Sequence, residues 1–176
     1  MKNVKKSKTQ EKSEKRAATF FRIVEEKLHP VLDEYGLRQT SVEDPGGYTY
    51  YTIIFQNELA AVRVYFEWRE RYLAVQLCRL VSGKVQRDPE SLDSEWTRFP
   101  VDFLLSVRAP AYDQSGLQLP AEWKSEEATM DEIGQSLEKY VDAIRLHGGD
   151  ILWGDFSVFP QLDRIAKQRA IARGAL

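Results

Sequence analysis

The residues whose types and spacing could do chemistry fall in three places. His147, Asp150 and Asp155 lie close together in the chain. A histidine beside two carboxylates could share acid–base work or hold a metal ion. The same residues have a plainer use: aspartate at a helix start caps exposed amides, and histidine suits a helix C-terminus. Cys78 is the only cysteine. It sits in a strand-like run with no histidine near it in sequence, and reads as a small interior residue, not a nucleophile. Arg63, Tyr65, Glu67, Tyr72 and Gln76 alternate along two neighbouring strand-like runs. Tyrosine and arginine are frequent anchors of protein interfaces, so these five form the candidate partner-contact set. Cross-strand pairs of these types also stabilise a half-exposed sheet.

The motifs of common chemistries are missing. There is no HxxxH or CxxC spacing, so no zinc site is indicated. No glycine-rich phosphate loop and no GxSxG elbow occur. No catalytic, cofactor-binding or metal-binding residue is assigned, and no cofactor is expected. The charged group Glu67, Arg69, Glu70 and Arg71 reads as a solvated hairpin tip.

The elements that must position these residues follow from periodicity. Ala17, Phe20, Phe21, Val24, Leu28, Val31, Leu32 and Tyr35 recur at helical spacing. This predicts a first helix starting within residues 9–17, kinked at Pro30 and closed at Gly36. Residues 37–43 suggest a short strand, and Asp44-Pro45-Gly46-Gly47 a turn. Tyr48 to Leu80 then alternate as three strands, with connections at Gln56-Asn57-Glu58 and Arg69-Glu70. Val62, Val64, Phe66, Leu73, Val75 and Leu77 would face one way, and the partner-contact set the other. Phe99-Pro100 opens a short helix to about Arg108, and residues 109–126 read as a loop. Trp96 and Trp123, in irregular stretches, would tuck onto the core or anchor a partner. Thr129 and Glu132 have capping-box spacing and predict a helix that ends at His147-Gly148-Gly149. A last helical region, 150–172, is broken near Gly154 or Pro160.

This order predicts an α+β fold: an N-terminal helix, a three- to four-stranded antiparallel meander, and C-terminal helices packed on the sheet as a two-layer sandwich. At 176 residues the chain is sized for one domain. Residues 1–16 carry seven basic and two acidic residues. With a total charge of −2, that balance of +5 leaves −7 over residues 17–176. The first segment is expected to be a basic, flexible tail, and residues 17–176 a single α+β domain. No apolar run is long enough to cross a bilayer, and the basic N-terminus lacks the apolar stretch of a secretory signal. With one cysteine, these features point to the cytoplasm and away from membranes.

The stretch FFRIVEEKLHPVLDEYGLRQT, followed by the aromatic-rich meander, resembles a group of small uncharacterised bacterial α+β proteins. Some of these are regarded as immunity proteins that neutralise toxins. The resemblance implies binding by surface occlusion, often with acidic groups against a basic nuclease, and no catalytic motif. The expected function is therefore a non-enzymatic protein-interaction module of immunity type, with another protein as partner. One alternative is a nucleic-acid-associated protein that uses the basic N-terminal segment. Another is an enzyme or metal site at His147, Asp150 and Asp155. An unpaired edge strand also offers a route to a homodimer.

Overall fold

The computed structural model describes residues 8–43, 50–86, 93–122 and 124–172. The predicted turn at 44–47 and Trp123 lie outside these. Helix α1 (Lys8–Glu34) buries the predicted stripe: Phe20, Val24, Leu28 and Leu32 are sealed from solvent. Pro30 is exposed within α1, and the helix continues through it to Glu34. At its end Gly36 takes a left-handed φ of +71°, and Leu37 N donates to Leu32 O at 3.0 Å. That bond closes the last turn and folds Leu37 onto the core. The helix begins at Lys8, so the boundary drawn at residue 16 falls inside it.

Five strands follow: β1 (Arg38–Glu43), β2 (Tyr50–Gln56), β3 (Ala60–Glu67), β4 (Tyr72–Arg79) and β5 (Arg98–Pro100). They form one antiparallel sheet in chain order. The meander is thus one strand wider than expected. β5 pairs with Gln76–Cys78 immediately before the short helix α2 (Val101–Arg108). The register aligns Tyr51, Phe66 and Leu73 in one inner row and Ile53, Val64 and Val75 in the next. Phe55, Val62, Leu77 and Phe99 make a third.

Helix α3 (Glu126–His147) starts one turn earlier than the capping-box spacing suggested. Ser125 is the cap, and its hydroxyl accepts from Ala128 N at 3.2 Å. Thr129 already lies inside the helix, where its hydroxyl donates to Ser125 O. The last region divides as anticipated, into α4 (Gly149–Leu152) and α5 (Phe159–Ala172).

The helices meet the sheet through its inner rows. The Phe20 ring lies 5.7 Å from both Tyr51 and Phe66, and Phe159 meets Phe99 edge-on at 5.0 Å. A Cβ on Gly148 would stand 3.0 Å from Leu77 Cδ1, so glycine lets the end of α3 rest on the inner face. α1 and α3 pack side by side, with Arg145 bonded to Glu34 at 2.5 Å. The result is the predicted two-layer α+β sandwich. Burying a phenylalanine or leucine stabilises by roughly 1.5–3 kcal/mol each. The aromatic and aliphatic rows therefore supply the main drive that holds helices to this one side.

Candidate functional site

The opposite face of the sheet carries no helix among the described residues. Its first row is Tyr50, Glu67 and Tyr72, directly opposed across three strands. The second is Thr52, Tyr65 and Ala74, and the third Ile54, Arg63, Gln76 and Pro100. The five side chains of the predicted contact set therefore share one face. Arg63, Tyr65, Glu67 and Gln76 are half-buried, and Tyr72 is 43% exposed. The small residues Thr52, Ala61, Ala74 and Cys78 are buried between longer side chains.

The long side chains are organised by one another. Tyr50 and Tyr65 stack at 5.9 Å with 28° between their planes, and Tyr72 leans on Tyr65 at 6.4 Å. The Arg63 guanidinium lies over the Tyr65 ring at 5.1 Å, and its Nη1 donates to Gln76 Oε1 at 2.9 Å. Glu67 Oε1 accepts from Arg69 N at 3.1 Å, which fixes the carboxylate beside the strand end. Each aromatic pair contributes about 0.5–1.5 kcal/mol beyond its burial, enough to hold the rings in this arrangement.

The electrostatics follow from partial burial. Desolvation pushes the Tyr65 phenol above its ordinary range, and the neighbouring Glu67 charge adds to it. Tyr72 is raised by desolvation and by Asp102, which enters from the first turn of α2. Asp102 itself is raised by burial, against the pull of the Phe103 amide and of Arg169. The phenols of Tyr65 and Tyr72 therefore stay neutral donors at physiological pH. Asp102 was not among the residues singled out from sequence. Its place after Pro100 signals only a helix start.

His147, Asp150 and Asp155 are each engaged elsewhere. Asp150 takes both terminal nitrogens of Arg108, at 2.6 and 2.7 Å, and Arg108 also donates to His147 O. Asp155 accepts from Ser157 N at 2.9 Å, and that bond draws its carboxyl below the usual range. The His147 ring meets Tyr112 edge-on at 5.6 Å. Among the described residues no three His, Cys, Asp or Glu side chains gather as a metal site.

The hairpin tip holds a correction. Arg71 does not belong to a solvated cluster, being only 3% exposed. Its Nε donates to Pro120 O, Nη1 to Thr129 Oγ1 and Nη2 to Glu132 Oε2. Lys124 bonds the other oxygen of Glu132. Lys124, and with it Arg71, holds the Glu132 carboxyl below the usual range. The pairing ties the β3–β4 turn to the 109–125 connection and to α3. It is a structural anchor that leaves no group free for chemistry.

A second surface lies at the opposite end of the hairpins. Trp153 is 65% exposed and Leu59 52%, with Tyr35 5.5 Å from Trp153. Trp96 is half-buried on the core, and its amide donates to Asp163. Among the described residues no helix is long and apolar enough to cross a membrane. No family model, no curated protein and no solved structure matches the chain.

Proposed function

We propose that this chain is a protein-binding module that docks through the helix-free face of its sheet. The observation that carries this reading is the cluster of touching rings Tyr50–Tyr65–Tyr72, bordered by Arg63, Glu67 and Gln76 on that face. Rings already locked by one another lose little conformational entropy when a partner covers them. Their phenols supply donors at the rim of an apolar surface. Within this class the proposed role is toxin-neutralising immunity, supported by the charge of −7 over residues 17–176. An acidic body suits a basic target.

The test places a photo-reactive residue at Tyr72 in the native host, with the same residue at Leu146 on the helical side as control. A protein adduct formed from position 72 and absent from position 146 is expected. Reconstituted with the purified partner, Tyr72→Ala should weaken binding by about thirtyfold, the loss of a 2 kcal/mol hot spot. The same adducts from both positions would overturn the docking face. A partner whose own activity is unchanged on binding would overturn the immunity role and leave binding intact.

A further inference from the structure

The contact face is not uniform in charge. At one end, Glu67 stands directly between Tyr50 and Tyr72 in the strand register. At the other end are Arg63 and Arg98. The three-tyrosine end thus pairs aromatic rings with a carboxylate, on a body whose balance is acidic. Ring faces carry negative potential and attract cations, and a nearby carboxylate strengthens that attraction.

One ring of this face, and two rings elsewhere in the chain, already carry a guanidinium. Arg63 lays its guanidinium on Tyr65, Arg16 lies 4.5 Å from the centre of the Trp68 ring, and Arg169 lies 4.6 Å from that of Phe103. Next to Tyr65, Thr52 is 1% exposed, and its hydroxyl has no hydrogen-bond partner among the described residues. A planar guanidinium can stack on a ring and donate sideways to a carboxylate at once, which an ammonium does less well.

Resting on the protein-binding reading above, we infer that the Tyr50–Glu67–Tyr72 end of the face receives an arginine side chain projected by the partner protein. The guanidinium stacks on the exposed Tyr72 ring and donates to Glu67. Arg63 repels a second cation at the far end, which fixes the direction of docking.

The test uses the purified full chain with carbon-13 labelled tyrosine rings, observed by NMR. The probes are N-acetyl-arginine amide and the neutral N-acetyl-glutamine amide. The arginine probe should shift the Tyr50, Tyr65 and Tyr72 rings to saturation and leave Tyr51, in the inner row beneath the helices, unmoved. Glu67→Gln keeps the acceptor for Arg69 N and removes the charge. It should weaken the arginine probe by about threefold, the scale of an exposed ion pair. Tyr72→Leu should abolish the shifts at Tyr65. Equal shifts with the neutral probe, an unaltered response in Glu67→Gln, or no shift at all would overturn the inference. So would ring shifts that follow protein concentration without probe, since a second copy would then fill the site. A partner cross-linked at Tyr72 through a surface lacking arginine would sink the inference while the docking reading stands.

Discussion

A single guanidinium shows how little of a charged residue's role is written in its neighbours. Arg71 sits among Glu67, Arg69 and Glu70 in sequence, yet its partners are Pro120, Thr129 and Glu132. Its backbone is left-handed, at φ +50°, a cost of roughly 1–2 kcal/mol for a residue with a Cβ. The three donated bonds offset that cost. Arg71→Met is expected to lower unfolding free energy by about 2–3 kcal/mol in urea melts, because it leaves Pro120 O, Thr129 Oγ1 and one oxygen of Glu132 without their donor. The pH dependence should change with it. The folded-state pKa of Glu132 lies below its unfolded value. Its contribution is therefore present above the ordinary carboxylate range and lost as pH falls through the lowered value. Arg71→Met should flatten that acid limb; an unaltered limb would assign the effect to Lys124 alone.

Among the elements, the β2–β3 hairpin depends on Asn57. Its side-chain oxygen accepts from Leu59 N and Ala60 N, both at 2.8 Å. Its nitrogen donates to Tyr35 O and Leu152 O, both at 3.1 Å. One amide thus joins the end of α1, the hairpin and α4. Asn57→Ala should cost about 2–3 kcal/mol, since it leaves part-buried backbone groups unsatisfied. Hydrogen exchange should quicken first at Leu59–Ala61; uniform quickening would mean global loss instead. The elements also show what the sequence made legible. Alternation located β2 to β4, because each is long enough to repeat a period of two. β5 escaped because three residues ending in proline carry no period. The start of α3 moved by one turn because Thr129 and Glu132 hold the capping spacing while Ser125, without a partner glutamate at the usual place, does the capping. The contact set lay on one face as the alternation required. The rings' mutual stacking and the approach of Asp102 depend on register and on α2, which no local pattern encodes.

At the scale of the molecule, the basic N-terminal segment is partly tied to the acidic body. Arg16 and Lys12 both reach Glu126, at 2.8 and 3.6 Å, and Arg16 also covers Trp68. A nucleic-acid phosphate would have to compete with Glu126 for these cations. Glu126→Gln should loosen this end of α1, with amide exchange over residues 11–17 quickened by up to about fivefold, since such pairs contribute under about 1 kcal/mol. Exchange equal to that of the parent chain would show that the pair holds nothing. The order of the elements has one more consequence. The sheet runs in chain order, but its cover is split between α1 and α3, with the residues between Glu34 and Glu126 made in the interval. At synthesis rates of about 5–20 residues per second, the meander finished at Pro100 waits roughly 2–9 seconds for its second helix to be completed at His147. Through that interval the newborn chain offers half of its oily face to the crowded space at the ribosome exit.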